Sequence, residues 1–209
     1  MRKVLILASG GLDSTVVVAL YKNLGYDVHL LYLPYGNINE KAETERLLKL
    51  REKFNIPAEN TLVIKLNLNY SNSSCIHKDS TNPYVEMRNL IFISYAISVA
   101  EAKGIDLVAV GFINVPAGYP DTTEQFIHDI NNLALNATGI EVVAPLHHLD
   151  KIGVYKLGKK LGVNLLDTFS CNVSNDKPCG ECYDCLDIKN IIKKVGVPDE
   201  DNPFIQWRQ

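Results

Sequence analysis

Apolar runs alternate with helix-like patterns over residues 3–161 of the chain. Short runs rich in Val, Ile and Leu each precede a longer segment with the periodicity of a helix. Because strands that alternate with helices pair in parallel, we predict an α/β fold with a doubly wound, mostly parallel sheet. The predicted strands are 3–8, 28–33, 61–66, 105–111 and 141–144, and the predicted helices are 13–24, 39–54, 88–103, 122–137 and 151–161, the last capped by Asp150.

Two segments interrupt this order. Residues 67–83 form a polar stretch that is long for a loop in a compact domain, which suggests a functional role. From about residue 167 the chain becomes rich in Cys, Asn, Asp and Pro, and we expect an irregular tail there.

Composition and charge narrow the classes of partner. The chain has 21 basic and 24 acidic residues, a net charge of -3 and no long basic block, so a nucleic-acid partner is not expected. No apolar run reaches the roughly 20 residues that a membrane-spanning helix needs. The apolar start of the chain is too short for a signal peptide. We therefore expect a cytoplasmic protein without a membrane partner.

A glycine-rich segment follows the first predicted strand and opens the first predicted helix. Glycines let a backbone approach a phosphate closely, and free N–H groups at a helix N-terminus stabilise an anion. The segment lacks the lysine of a P-loop and the spacing of a dinucleotide fingerprint. We predict a phosphate site here, with an ordinary strand-to-helix turn as the alternative. Its residues are Ala8, Ser9, Gly10, Gly11, Leu12, Asp13, Ser14 and Thr15.

Four of the five cysteines fall close together near the end of the chain. Cys171, Cys179, Cys182 and Cys185 have the spacing C-x7-C-x2-C-x2-C. Clustered cysteines in a cytosolic chain favour metal binding over disulfides, and four thiolates close a tetrahedral zinc site. With no open position for water, one zinc ion per chain would be structural. An iron–sulfur cluster and a set of free thiols are the alternatives, and Cys75 is assigned no role.

The glycine-rich segment matches the S-G-G-x-D-S pyrophosphate loop of the ATP pyrophosphatases. Together with the cysteine cluster it resembles the 7-cyano-7-deazaguanine synthase (QueC) family over nearly the whole chain. Tyr35-Gly36, Arg88-Asn89 and residues 118–121 and 168–171 fit the same family. The resemblance implies an adenine nucleotide α-hydrolase-like fold. It also implies a pyrophosphate-loop domain at residues 1–166 and a zinc-binding segment at 167–209.

The resemblance also implies a reaction. The family uses ATP with Mg²⁺ to adenylate 7-carboxy-7-deazaguanine, and ammonia displaces AMP to give an amide. A second adenylation of the amide oxygen leads to the nitrile, 7-cyano-7-deazaguanine. The implied partners are therefore the deazapurine acid and ammonia, and the implied assembly is a homodimer.

Particular residues are expected to carry these steps. Asp13 would reach Mg²⁺ or orient the loop, and Lys151 and Arg88 would neutralise phosphate charge; a plain surface cation is the alternative for Lys151. Tyr119 would stack on the purine-like ring, unless it only packs. His147 and His148 are interpreted as structural, and residues 44–46 as a solvated helix face. The expected catalytic residues are Asp13, Lys151 and Arg88, and the expected acceptor-binding residues are Arg88, Asn89, Tyr119, Pro120 and Asp121.

The chain departs from the family pattern around the acceptor region. Residues 85–87 replace a usual Val-Pro-Gly, Asn37 replaces a usual Gln, and residues 114–118 and 122–123 also differ. These changes keep adenylation as the prediction and open an alternative for the second half-reaction. In that alternative a QueC-like ligase joins the adenylated deazapurine acid to a protein amine. A tRNA-modifying enzyme and an inactive, zinc-tied interaction module are the remaining alternatives.

Overall fold

A computed structural model describes residues 1–113 and 118–207 of the chain. Within them, a five-stranded parallel sheet has the order β3-β2-β1-β4-β5, with β1 in the centre. The strands are β1 (Lys3–Leu7), β2 (Asp27–Tyr32), β3 (Thr61–Val63), β4 (Leu107–Ala109) and β5 (Glu141–Val143). The helices are α1 (Leu12–Asn23), α2 (Glu40–Lys53), α3 (Arg88–Lys103), α4 (Glu124–Thr138), α5 (Lys151–Lys160), α6 (Tyr183–Val195) and α7 (Pro203–Gln206).

Apolar side chains fill both faces of the sheet. One cluster combines Val4 and Ile6 of β1 with residues of α1, α5 and α6. The other places Leu5 of β1 against Ile93 of α3 and Ile130 of α4. Helices therefore cover the sheet on both sides, and the predicted doubly wound α/β fold is confirmed. None of the helices in the described residues is both long and apolar enough to cross a bilayer.

Two strands, β3 and β4, are at least three residues shorter than the sequence pattern predicts. Beyond Val63 the chain still runs beside β2, since Ile64 N donates to Tyr32 O and Leu66 N to Pro34 O. Pro34 has no N–H to donate in return, so the regular ladder ends there. At the predicted strand 105–111, Ile105 N instead donates to Ala100 O and closes the end of α3.

The prediction of an irregular tail is confirmed for residues 168–182 and wrong for the residues that follow. Residues 168–182 contain no helix or strand, but α6 begins directly after Cys182 and runs to Val195. Cys185, Ile188 and Ile191 recur every three positions and form its buried face. The helical pattern begins at Cys185, the last cysteine of the motif, and continues beyond it. We missed this pattern because the cysteine was interpreted only as a metal ligand.

Candidate functional site

The glycine-rich segment forms a tight loop between β1 and α1. Gly10 has φ +80°, and a Cβ there would lie 2.7 Å from Arg46 Cβ, so the fold requires glycine at this position. Gly111, at the end of β4, approaches α1 so closely that a Cβ would lie 3.0 Å from Ser14 N. The segment is therefore wedged between α2 and the end of β4, at the carboxyl edge of the sheet.

The start of α1 is open to an anion. Gly11 is its N-cap, and none of the described side chains caps the helix. Ser9 Oγ accepts from Gly11 N at 3.4 Å, and Ser14 Oγ donates to Gly11 O at 3.2 Å. The first N–H groups of the helix thus remain for a phosphate, which the positive end of the helix dipole favours.

Asp13 and Lys151 meet beside this loop. Lys151 Nζ donates to Asp13 Oδ2 at 2.7 Å, and the two side chains are 15% and 24% exposed. Asp13 Oδ1 is enclosed and accepts no hydrogen bond from the described residues. Lys151 is therefore not a free surface cation. The pair brings together two predicted site residues far apart in the chain, and it leaves one carboxylate oxygen unsatisfied.

The tail adds two carboxylates that the sequence analysis missed. Burial opposes the charge of Lys151, but the fields of Asp13, Asp184 and Asp187 outweigh it, and the pKa of Lys151 is raised. Burial in turn raises the pKa of Asp184 to about 6, although Lys151 acts to lower it. Asp184 lies within the cysteine motif and Asp187 just after it, at the start of α6. The sequence pattern there indicated metal ligands and gave no sign of carboxylates beside Lys151.

Arg88 is the first residue of α3. One of its guanidinium nitrogens donates to Tyr35 Oη at 3.0 Å, and the guanidinium lies 5.4 Å from the Tyr35 ring centre and 5.7 Å from that of Phe92. Burial would lower its pKa, but the interactions with Tyr35 and Cys75 prevail and raise it. Its Nε is enclosed and donates to none of the described residues. Arg88 is thus a fixed, permanently charged group with one unused donor.

The other predicted acceptor residues cluster around the start of α3. Asp121 is 1% exposed and its Oδ2 accepts from Asn89 N at 2.9 Å, so it caps α3 across the turn that begins at Pro120. Its Oδ1 is enclosed and accepts no hydrogen bond within the described ranges. The Tyr119 ring, 39% exposed, stacks on Tyr84 with ring centres 5.1 Å apart. One face of Tyr119 is therefore covered by Tyr84, a residue the sequence analysis did not single out.

The interpretation of residues 44–46 as a solvated face is wrong for Arg46. Its NH1 donates to Leu166 O at 3.0 Å, and its guanidinium lies 4.4 Å from the Trp207 ring centre. Trp207 stacks in turn on Phe169, with ring centres 5.6 Å apart. Arg46 therefore joins α2 to the tail, which a helical charge pattern alone could not reveal.

The four clustered cysteines converge as predicted. All four Sγ atoms lie within 4.8 Å of one another, and those of Cys179 and Cys185 are 3.8 Å apart. Hydrogen bonds with Cys171 and Cys185 lower the pKa of the Cys182 thiol, which favours a thiolate in the cluster. The cluster could hold a metal ion. Cys75 is buried elsewhere, with its Sγ 3.4 Å from Pro83 O.

The histidine pair lies apart from these groups. His147 Nε2 lies 3.2 Å from Thr122 O, and His148 is exposed on a cavity of about 580 Å³ that both residues line. These contacts agree with a structural role for His147. The sequence departures at residues 114–117 lie outside the described residues.

Sequence comparison identifies relatives over almost the entire chain. A family model described as "Queuosine biosynthesis protein QueC" matches residues 3–196. The chain is 31% identical to a 7-cyano-7-deazaguanine synthase of Rickettsia bellii, over 97% of this chain and 98% of that one. It is 33% identical to the enzyme of that name from Nitratiruptor sp., over 95% and 97%. It is also 33% identical to 7-cyano-7-deazaguanine synthase 2 of Sulfurisphaera tokodaii, but it spans only 47% of that relative.

Two solved structures share the fold. One is the NMN synthetase from Francisella tularensis, with a TM-score of 0.51 and 22% identity over 99% of this chain and 83% of that one. The other is the U34-tRNA thiolase NcsA from Methanococcus maripaludis, solved with its 4Fe-4S cluster, with a TM-score of 0.54 and 15% identity over 99% and 70%. At these identities the likeness concerns the fold alone.

Proposed function

The chain belongs to the QueC family, and on that premise we propose that it makes 7-cyano-7-deazaguanine. It would adenylate 7-carboxy-7-deazaguanine with ATP, form the amide with ammonia, and adenylate the amide in turn to reach the nitrile. The observation that supports this most strongly is the Asp13–Lys151 pair beside the open N-terminus of α1. The start of α1 provides backbone donors where an ATP phosphate would bind. The pair adds one cation and one unsatisfied carboxylate oxygen.

The two cations of the candidate site suit an adenylation. Lys151 and Arg88 would stabilise the charge that builds up on the α-phosphate and the departing pyrophosphate. Asp13 Oδ1 is the free oxygen that would hold Mg²⁺, whose charge neutralises the phosphates. The acceptor would lie toward Arg88 and the Tyr84–Tyr119 stack, with the exposed face of Tyr119 against the flat ring. Asp121 would act mainly through α3, because both of its oxygens are enclosed.

We propose that the cysteine cluster holds one structural zinc ion. A tetrahedral site with Zn–S bonds of about 2.3 Å places its sulfurs about 3.8 Å apart, which matches the 3.8 Å between Cys179 and Cys185. A 4Fe-4S cluster would hold four ligands farther apart, because its iron and sulfide ions lie between them. The ion would tie residues 168–182 to the start of α6. The homodimer and the cytoplasmic location stay predictions from the resemblance.

The second candidate function differs in the amine. The departures at Glu86 and Met87 are exposed and stand beside Arg88, at the rim of the site and not in the core. Because these residues differ from the family pattern at the edge of the site, they favour an acceptor amine different from ammonia. In this version the same adenylate would pass to a protein amine, and the amide would be the end product.

Mass spectrometry of one reaction tests the proposal. The chain, Mg²⁺, ATP, 7-carboxy-7-deazaguanine and ammonium are combined, and the expected products are the nitrile and AMP. Asp13→Asn should lower AMP release by about 100-fold or more, whereas Asp129→Asn, on the exposed face of α4, should leave it unchanged. An adenylate or amide without nitrile would favour the protein-amine version. No ATP cleavage with the acid would contradict both.

A further inference from the structure

Glu43 has no part in the site described so far, yet it lies against the pyrophosphate loop. It is on α2, at the point where this helix touches Gly10, and a Cβ on Gly10 would lie 3.1 Å from Glu43 O. Its carboxylate extends to the carboxyl end of β2, where it is half-buried. The group therefore stands at the sheet edge where ligands of such folds bind.

Two buried side chains fix one oxygen of this carboxylate. Tyr32 Oη donates to Glu43 Oε2 at 2.7 Å, and Asn37 Nδ2 donates to the same atom at 2.9 Å. Asn37 Oδ1 accepts from Tyr35 N at 3.1 Å, and Arg88 bonds the hydroxyl of that same tyrosine. Glu43 is thus connected through Asn37 and Tyr35 to the guanidinium already placed in the site.

The other oxygen is available. Oε1 accepts no bond of normal geometry within the described part of the chain, and it is not among the fully enclosed, unsatisfied oxygens. Asn37 also donates to Asn39, whose amide lies near the carboxylate and donates to Cys171 O at 2.9 Å. A carboxylate held by one oxygen, with the other free of hydrogen bonds from the described residues, can accept a proton.

The surroundings set its affinity for a proton. Burial raises the pKa of Glu43 to about 7, although the hydrogen bonds of Tyr32 and Asn37 and the charge of Arg88 act to lower it. The ionisable groups that face it are Tyr32 of β2, Tyr35 just beyond that strand, and Arg88 of α3; Glu40 lies one turn away on α2 itself. A base is most effective when its pKa lies near the working pH.

We propose that Glu43 is the general base for the amine that attacks the adenylate. This inference rests on the proposed function and assigns one step of it to a residue. As the nitrogen of ammonia bonds to the acyl carbon, Glu43 Oε1 takes one N–H proton. The C–O bond to AMP breaks and AMP leaves with its electron pair, so amide, AMP and protonated Glu43 result. The proton then passes to water.

The test separates adenylation from amide formation. Glu43→Gln keeps the shape and an oxygen for Tyr32 and Asn37, so pyrophosphate exchange into ATP in the presence of the acid should stay within about twofold. Amide formation from ammonia should fall by about 100-fold or more. Hydroxylamine, a stronger nucleophile that needs no base, should restore acyl transfer as the hydroxamate. Glu40→Gln is the matched control, since Glu40 pairs with Lys65 at the surface and should change neither rate.

The pH profile gives an independent measurement. At constant free ammonia, amide formation by the unaltered chain should rise as pH passes through about 7, and Glu43→Gln should lose this rise. Equal loss of exchange and amide formation in Glu43→Gln would assign Glu43 a structural role and overturn the inference. Unchanged amide formation would overturn it as well. Absence of pyrophosphate exchange in the unaltered chain would contradict the proposed function itself, which makes the two failures distinguishable.

Discussion

The central sheet and the segment 168–182 are stabilised in different ways. In β1, Val4, Leu5 and Ile6 are completely buried, and each strand bonds to its neighbours along the ladder. Segment 168–182 has no ladder or helix, and its apolar contacts form a small cluster around Phe169 and Cys171. Burial of apolar side chains and the ladder of hydrogen bonds stabilise the sheet. Segment 168–182 depends instead on metal ligands and on hydrogen bonds to other elements. The candidate site includes contacts from both regions, since Phe169 N of the segment donates to Gly10 O of the loop. The site therefore depends on the segment that has fewer apolar contacts.

Loss of a metal ligand should have the largest effect. It should destabilise the segment 168–182 and leave the central sheet intact. Cys179→Ser, or a strong chelator, is expected to abolish metal binding and to remove several kcal/mol of local stability from residues 168–185. Elemental analysis measures the metal, and hydrogen exchange measures the local stability, with β1 and β2 retaining their protection. Cys75→Ser, which alters a buried thiol outside the cluster, is the control. Iron in place of zinc would contradict the assignment of the metal.

Phe169 tests how much apolar packing contributes to the weaker region. It is 2% exposed, stacks on Trp207, and its N–H donates to Gly10 O at 3.0 Å. Phe169→Ala should cost about 3–5 kcal/mol in the free energy of unfolding, measured by denaturant titration. It should also lower the affinity for ATP, because the segment supports the loop. A cost below about 1 kcal/mol would show that the metal alone holds this segment.

The cysteine cluster and Glu43 of α2 should respond to pH in opposite directions. Acid protonates the thiolates and weakens metal binding. Glu43 behaves otherwise: its folded-state pKa of about 7 lies above the usual 4.5, so the folded state binds more protons between these values and loses stability as pH rises through them. Relative to Glu43→Gln, the unaltered chain should lose about 1–3 kcal/mol between pH 4.5 and 8. Denaturant titrations of both at several pH values measure this difference, and a constant difference would contradict it.

Asn175 should give the smallest of these effects. Its Oδ1 accepts from Lys41 N at 3.0 Å and from Ala42 N at 3.2 Å, so a residue of the irregular segment caps α2. Asn175→Ala should therefore cost about 1 kcal/mol, seen as a lower thermal midpoint with the metal retained. Asn175→Asp preserves the acceptor and should restore most of the loss. Metal release by Asn175→Ala would show that the two regions are coupled more tightly than these contacts indicate.

The sheet could be predicted from the sequence because its signal is local. A buried strand followed by an amphipathic helix shows its period within a few residues, and the glycine-rich segment shows its chemistry in the same way. The convergence of the cysteines followed from their spacing. The contacts between elements did not: Arg46 with Trp207 and Asp184 near Lys151 join residues far apart in the chain, and Glu43 with Tyr32 joins α2 to β2. No periodicity encodes such pairs, because they depend on which elements the completed fold brings together.

The bond from Phe169 to Gly10 has a consequence for the order of events in biosynthesis. A ribosome makes the pyrophosphate loop early and the residues that close around it late. Until Phe169, Asn175 and the cysteines have been released from the ribosome, the Gly10 carbonyl and the start of α2 lack the partners they have in the folded chain. If the loop binds ATP as proposed, a nascent chain would complete its phosphate site only after translation has reached the tail.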